Sequence, residues 1–198
     1  MSIVLQSSGG GSVTINEPTT ASNFTQTLPA GTGSVVVSGI NSAITAGTAV
    51  ASTSGTSIDF TSIPSWVKRI TVMLNGVSLS GSAYLRIQIG TGGTPTTTGY
   101  VSHSGIIATT ATNSIGATAG LDLFGTSATI ALYGAIRWQN VSGNIWVAEG
   151  TTANSGGTAL VQTSASGVTL SGTLNMVRIT SSNGTDTFDA GSINILYE

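Results

Sequence analysis

The sequence predicts an all-β fold: an antiparallel β-sandwich, jelly-roll-like, over residues 51–198, preceded by an extended N-terminal arm over residues 1–50. Three observations carry this expectation. Apolar side chains recur at every second position in run after run, the spacing of a strand with one buried and one wet face. Helix formers are sparse, and Gly, Ser, Thr and Val interrupt any 3.6-residue period. Turn-forming residues fall between the apolar runs, at Asn75-Gly76, Thr91 to Pro95, Ser142-Gly143 and Asn183-Gly184.

The arm comes first in the chain. It opens on the run Ser7 to Ser12 (SSGGGS) and holds two short, isolated strand-like stretches, Val13 to Asn16 and Val35 to Ser38. Pro18 and Pro29 interrupt it, and the small-residue run Ala43 to Gly55 follows. Too few large apolar residues occur here to close a separate core, so the arm is expected to gain order by packing on something else. Val13, Ile15, Phe24, Leu28, Val35 and Val37 alternate or recur as if meant for a partner's sheet edge or groove. An added strand satisfies its backbone N–H and C=O groups on the partner's edge, which is how β-augmentation gains affinity.

The sandwich strands follow. Ile70, Val72 and Leu74 alternate with Thr71 and Met73. Leu85, Ile87 and Ile89 form one face, opposite Tyr84, Arg86 and Gln88. Ile130, Leu132, Ile136 and Trp138 share a parity, with Tyr133 and Arg137 opposite, and Ile193, Ile195 and Tyr197 end the chain on one face. Shared parity places Ile70, Val72, Leu74, Leu85, Ile87, Ile89, Ile193 and Ile195 in the core.

Composition narrows the functional classes. Only 6% of the 198 residues are charged, against the roughly 25% of an ordinary soluble domain. There are 27 Gly and no Cys, and the net charge is -2. Solubility therefore rests on hydroxyls and amides, stability owes nothing to disulfides, and no basic patch marks a nucleic-acid partner. No stretch approaches the ~18 apolar residues of a membrane helix, so membrane insertion is not expected. The opening Met1-Ser-Ile-Val-Leu-Gln has no basic n-region and predicts no secretory signal. Chains of this kind tend to be extracellular or particle-borne β proteins held in assemblies.

Two strings carry a resemblance. Leu5 to Ala30 (LQSSGGGSVTINEPTTASNFTQTLPA) resembles an N-terminal segment that recurs in tail-fibre-like proteins of tailed bacteriophages. Ile58 to Val72 (IDFTSIPSWVKRITV) together with Val177 to Glu198 (VRITSSNGTDTFDAGSINILYE) is similar to a C-terminal module attached to many phage and prophage surface proteins. The stretch from about Ser104 to Leu121 matches neither. The resemblance implies a virion surface protein, commonly homotrimeric, and carries across no catalytic motif.

His103 is the only histidine, and no Gly-x-Ser-x-Gly elbow or phosphate-cradling loop occurs, so neither a Ser-His-acid triad nor a three-fold His metal site is expected. Asp186 and Asp189 flank Phe188 beyond the Asn183-Gly184 turn; their spacing lacks the D-x-D-x-D-G pattern of a calcium loop and reads as Asx turn chemistry. Trp138 shares the core parity. Trp146 alternates with Ile145 and Val147 and reads as the exposed or intersubunit aromatic, with Tyr133 and Arg137 as further ligand or intersubunit contacts. Trp66 reads as a strand-entry anchor, and Lys68-Arg69 as an edge-strand guard against aggregation. Asn23, Asn140 and Asn183 head glycosylation-type triplets, which a Ser- and Thr-rich chain carries by chance.

The expected function is a non-enzymatic bacteriophage structural protein on the virion surface, of tail-fibre or adhesion type. The arm anchors to other phage structural proteins, and the sandwich is exposed to the host surface, where a glycan is the expected contact. No cofactor, metal or catalytic residue is expected. The alternative is a capsid decoration or cement protein (a head fibre) that stabilises the head; a virion-associated glycan depolymerase is the remote third.

Overall fold

A computed structural model describes residues 2–6, 8–16, 44–108, 112–124, 128–157 and 159–198. The chain divides into two compact units, Met1–Val35 and Val36–Glu198. Among the described residues every regular element is a strand.

In the first unit β1 (Ser2–Gln6) pairs antiparallel with β2 (Ser12–Asn16), in register from Ser2↔Asn16 to Gln6↔Ser12. Residues 8–11 of the SSGGGS run lie in the connection of this hairpin, and Gly10 takes the left-handed conformation (φ 84°) that a side chain disfavours. The stretch Val13 to Asn16, expected as an isolated strand, therefore has a local partner. Of the six arm residues singled out from the sequence, Val13 and Ile15 lie on β2, while Phe24, Leu28, Val35 and Val37 fall outside the described residues.

The second unit begins with β3 (Thr45–Ala46), β4 (Val50–Ala51), β5 (Ser57–Phe60) and β6 (Arg69–Leu79). Next come β7 (Leu85–Thr91), β8 (Thr94–Pro95), β9 (Val101–Ala108), β10 (Thr112–Ala117) and β11 (Leu121–Leu123). Then β12 (Ala131–Ser142), β13 (Ile145–Ser155), β14 (Leu160–Thr169), β15 (Leu174–Ser181) and β16 (Phe188–Tyr197) complete the chain. The larger sheet runs β10-β9-β14-β13-β12-β6-β16-β3, with β4 also on β16; the smaller runs β11-β7-β15-β5, with β8 on β7. All pairings are antiparallel, as the two-residue period requires. Because β3 and β4 pair with β16, the sandwich begins before residue 51 and the arm, as a separate unit, ends earlier than residue 50.

The core lies between the sheets. Ile70, Val72 and Leu74 of β6, Leu132, Ile136 and Trp138 of β12, and Ile193 and Ile195 of β16 meet Leu85, Ile87 and Ile89 of β7 and Val177 and Ile179 of β15 in one cluster. All eight core positions expected from parity are buried. Lys68-Arg69 is not at an edge: Arg69 starts β6, which lies between β12 and β16.

Two local departures from the simple pattern matter. Asn75-Gly76, expected as a hairpin turn, lies inside β6. There Gly76 (φ 67°) faces Gly191 (φ 93°) across a register shift between β6 and β16. A Cβ on Gly191 would collide with the Gly76 carbonyl oxygen, so the glycine pair makes a bulge rather than a turn. The turns at Gly92-Gly93, Ser142-Gly143 and Asn183-Gly184 fall where the sequence placed them.

The second departure is polar. On β9 and β14 the inward positions are Ser102, Ser104, Gln162, Ser164 and Ser166, all buried. Ser102 and Ser166 share a 2.5 Å hydroxyl hydrogen bond. Ser104 donates to the Asp122 carbonyl at 2.6 Å and shares a 2.8 Å hydroxyl hydrogen bond with Ser164. Gln162 bonds both backbone groups of Phe124. A buried polar group is tolerated only when paired, and these are.

Tyr100 closes the same interior. Its hydroxyl donates to the Ile89 carbonyl at 3.0 Å and accepts from the Ile89 N–H at 2.9 Å, while its ring meets Trp138 edge-on at 6.1 Å. Burial holds the phenol well above its ordinary pKa, against the opposing effect of the backbone hydrogen bond to Ile89. The raised folded-state value means that Tyr100 contributes stability fully below the unfolded phenol pKa of about 10 and loses that contribution as pH rises beyond it. Tyr100→Phe is expected to destabilise the fold by about 1–3 kcal/mol at neutral pH, because it orphans the Ile89 N–H, while the Ile89 carbonyl keeps the Thr96 N–H at 3.0 Å. Its stability should also fall less steeply above about pH 10. Guanidinium unfolding at pH 7 and at alkaline pH measures both effects.

Candidate functional site

The outer face of the larger sheet is built by the residues that alternate with the core. Pairing registers align them in rows across the strands. The central row runs Leu196, Thr71, Arg137, Glu149, Ala165, His103. On one side lies Arg69, Gln139, Val147, Gly167, Val101. In the other direction comes the row Met73, Ala135, Thr151, Thr163, Gly105, and beyond it, four residues from the central row, Asn75, Tyr133, Ala153, Val161, Ile107.

Arg137 and Glu149 form the one charged pair in the middle of this face. They are direct cross-strand partners on β12 and β13, with Nη1 and Oε1 3.6 Å apart and side chains 57% and 62% exposed. An ion pair this open to water contributes at most about 1 kcal/mol. The two side chains form a ridge with a hollow on either side. One, of about 370 Å³, has the short Thr71 among Arg69, Gln139, Leu196 and Glu198. The other, of about 280 Å³, lies over Ala135, Gly150, Thr151 and Thr163. Arg69 is paired with Glu198, so both hollows are lined by cation and anion together.

The rows on either side carry the exposed apolar side chains of the face. Val101 and Ile107 are each 71% exposed, and Val161, Tyr133 and Val147 are 49%, 44% and 41% exposed. Inward serines on β9 and β14 and outward aliphatics on the same strands reverse the usual distribution. This face offers contact area, a few donors and acceptors, and no activated nucleophile.

The structure divides the three contact residues expected from the sequence. Tyr133 and Arg137 lie together on the outer face of β12. Trp146 does not join them: it is 3% exposed, with Ile145 and Val147 facing out instead. The exposed-aromatic reading of Trp146 is overturned because β13 takes the register that pairs Trp146 with Val168, itself a core residue. Glu149, Gln139 and Thr71 belong to the site and were not singled out from the sequence; only the register of β12 against its neighbours brings them to Arg137.

The remaining candidates have structural partners. Asn183 Oδ1 accepts from the Thr185 and Asp186 N–H groups at 3.0 Å each, an Asx turn. The Asn183 amide and the Ala83 N–H, each donating at 2.9 Å, hold the Asp186 carboxyl below its ordinary pKa. Asp189 accepts from Ser78. Trp66 sits in a turn, tilted against Tyr197 at 6.0 Å, and Lys68 Nζ reaches Asn140 Oδ1 at 3.5 Å. Among the described residues no group of three or more His, Cys, Asp or Glu is placed to hold a metal ion, and no helix is long and apolar enough to cross a membrane.

No family model, curated protein or solved structure matches the chain.

The contrast between face and core is measurable. Replacing both Arg137 and Glu149 by Ala should change unfolding free energy by no more than about 1 kcal/mol. Trp146→Ala should cost about 3–5 kcal/mol, as large-to-small changes of buried aromatics do. Equilibrium denaturation of the two variants beside the parent tests this.

Proposed function

We propose that the chain is a non-enzymatic structural protein of a tailed bacteriophage. It is displayed on the virion surface as a homotrimer of tail-fibre or adhesion type, with the N-terminal unit as anchor and the sandwich as the contacting part. The observation that carries the reading is the outer face of the larger sheet. Six strands present an uncatalytic surface with aliphatic rows and self-neutralised ions, as a binding or assembly module does and an acid–base enzyme does not. The phage-like strings at Leu5 to Ala30 and Val177 to Glu198 supply the particle. The separate N-terminal unit, Met1–Val35, supplies a segment of its own to do the anchoring.

Antibodies against the chain, viewed by electron microscopy on purified particles, test the reading. Label at the tail is the expected outcome. Label on the head would replace the adhesion role with decoration of the capsid, and unlabelled particles containing none of the chain by mass spectrometry would overturn the proposal. Deleting residues 1–35 should leave a folded sandwich that no longer enters particles. Normal occupancy of the truncated chain would move the anchor into the sandwich.

A further inference from the structure

We propose that the outer face of the larger sheet is the surface through which copies of this chain associate, with Arg137 of one copy meeting Glu149 of the next. The inference deepens the homo-oligomeric reading given above and rests on it, naming the face that carries the contact.

The first argument is the chemistry of the exposed side chains. Val101, Ile107, Val147 and Val161 lie on β9, β13 and β14, the first and third in the row beside the charged ridge and the other two a further row out on its opposite side. Branched aliphatic side chains have no ring to stack on a sugar and no donor or acceptor for a hydroxyl. Their exposure is relieved only by covering them with other apolar groups. A glycan gains little from this surface; a protein face gains much. The orientation of these strands is also secure. The inward Ser102, Ser104, Ser164 and Ser166 are hydrogen-bonded to one another or to the β11 backbone. The aliphatics thus point outward while these inward hydroxyls are paired.

The second argument is charge. The middle of the face carries one cation and one anion, in register and 3.6 Å apart. That separation exceeds hydrogen-bond length, so both groups retain donors and acceptors for a neighbour. A ridge with one charge of each sign can offer its cation to one neighbour and its anion to another. It accepts a second copy placed so that unlike charges meet, and it rejects placements in which like charges meet. A foreign partner would have no need for that balance. In a three-fold arrangement each copy offers Arg137 to one neighbour and Glu149 to the other, and the ring closes.

The experiment uses the full chain at micromolar concentration, with mass read by light scattering and folding of every variant checked by circular dichroism and thermal unfolding. The parent should have three times the chain mass. R137E puts two acids on the ridge and E149R two bases, so each variant alone should associate at least about tenfold more weakly. Mixing the two should assemble better than either alone, since a mixed ring of three recovers two of its three unlike contacts; an ion pair within one chain cannot produce that recovery. Ile107→Asp combined with Val161→Asp should give a folded monomer, whereas Thr97→Asp, an exposed change in the loop between β8 and β9, should leave the oligomer intact.

Parental mass retained by the Ile107/Val161 variant, or a mixture no better assembled than its components, would overturn the proposal. So would a parent that is monomeric, and if that monomer bound polysaccharide in an Arg137-dependent way the face would belong to a glycan instead. None of these results touches the particle labelling described above, so failure of the interface and failure of the virion reading are told apart.

Discussion

The register of β12 between β6 and β13 determines both what the sandwich buries and what it presents. One ladder sets Trp138 beside Ile70 and Ala148, and Ile136 beside Val72. The same ladder sets Arg137 beside Thr71 and Glu149 on the opposite face. Side chains alternate across a strand, so a slip of one residue would exchange the two sets entirely. Trp138 and Ile136 would enter water, at roughly 2–3 kcal/mol each, and the Arg137 guanidinium would enter the core unpaired. The irregularities of β12 fall at its ends, at Leu132/Tyr133 and Asn140/Ser142. Residues 134–139 are therefore free to keep a strict alternation where both faces matter.

Low charge has a consequence inside the molecule as well as outside. A chain rich in Ser and Thr must place some hydroxyls in its interior, and it does so as cross-strand pairs. The Ser102–Ser166 and Ser104–Ser164 bonds join adjacent strands at successive inward positions. On the other sheet, Arg86 grips Asp122 through two bonds of 2.7 and 2.8 Å, with side chains only 18% and 7% exposed. That bond raises the guanidinium pKa further, against the effect of burial. Both devices converge on residues 121–124, whose backbone also receives Ser104 and Gln162. The three-residue pairing of β11 with β7 alone would hold this segment weakly. The polar bonds from three directions fix it over the end of the core.

Legibility followed the strength of the alternation. In β6, β7 and β16 large aliphatics occupy every second place, and parity alone identified the core. In β9 and β14 the alternation is just as regular, but most of the inward positions hold Ser and Gln, while Val101, Ile107 and Val161 face outward. A rule that sends apolar residues inward has no means of reading these strands, and they were not recognised from the sequence. Trp146 failed for a related reason. Its neighbours Ile145 and Val147 are themselves apolar, so β13 offers two hydrophobic faces and only pairing with Val168 decides between them. Asn75-Gly76 shows a third limit: an Asn-Gly pair signals positive φ, and positive φ serves a bulge as well as a turn. The candidate face was half legible. Tyr133 and Arg137 are visible as the wet side of β12, but Glu149 lies twelve residues from Arg137 and joins it only through the hairpin.

Pairing of the ions shapes how such a protein meets anything else. Each of the four arginines is matched to a carboxylate: Arg69 to Glu198, Arg86 to Asp122, Arg137 to Glu149 and Arg178 to Asp59. Charges paired at contact distance project little field beyond a Debye length of about 8–10 Å. Encounter is therefore not steered from afar, and association rates belong to the unsteered range of about 10⁵–10⁶ M⁻¹s⁻¹. Discrimination between partners then falls on how long a complex survives once formed. Survival depends on apolar rows fitting without gaps and on unlike charges meeting at the ridge. A surface of this kind is poorly suited to capturing a polyanion such as a phosphate-rich polymer. It suits a partner of fixed shape held at high local concentration, which is the condition of a subunit beside its own copies in an assembly.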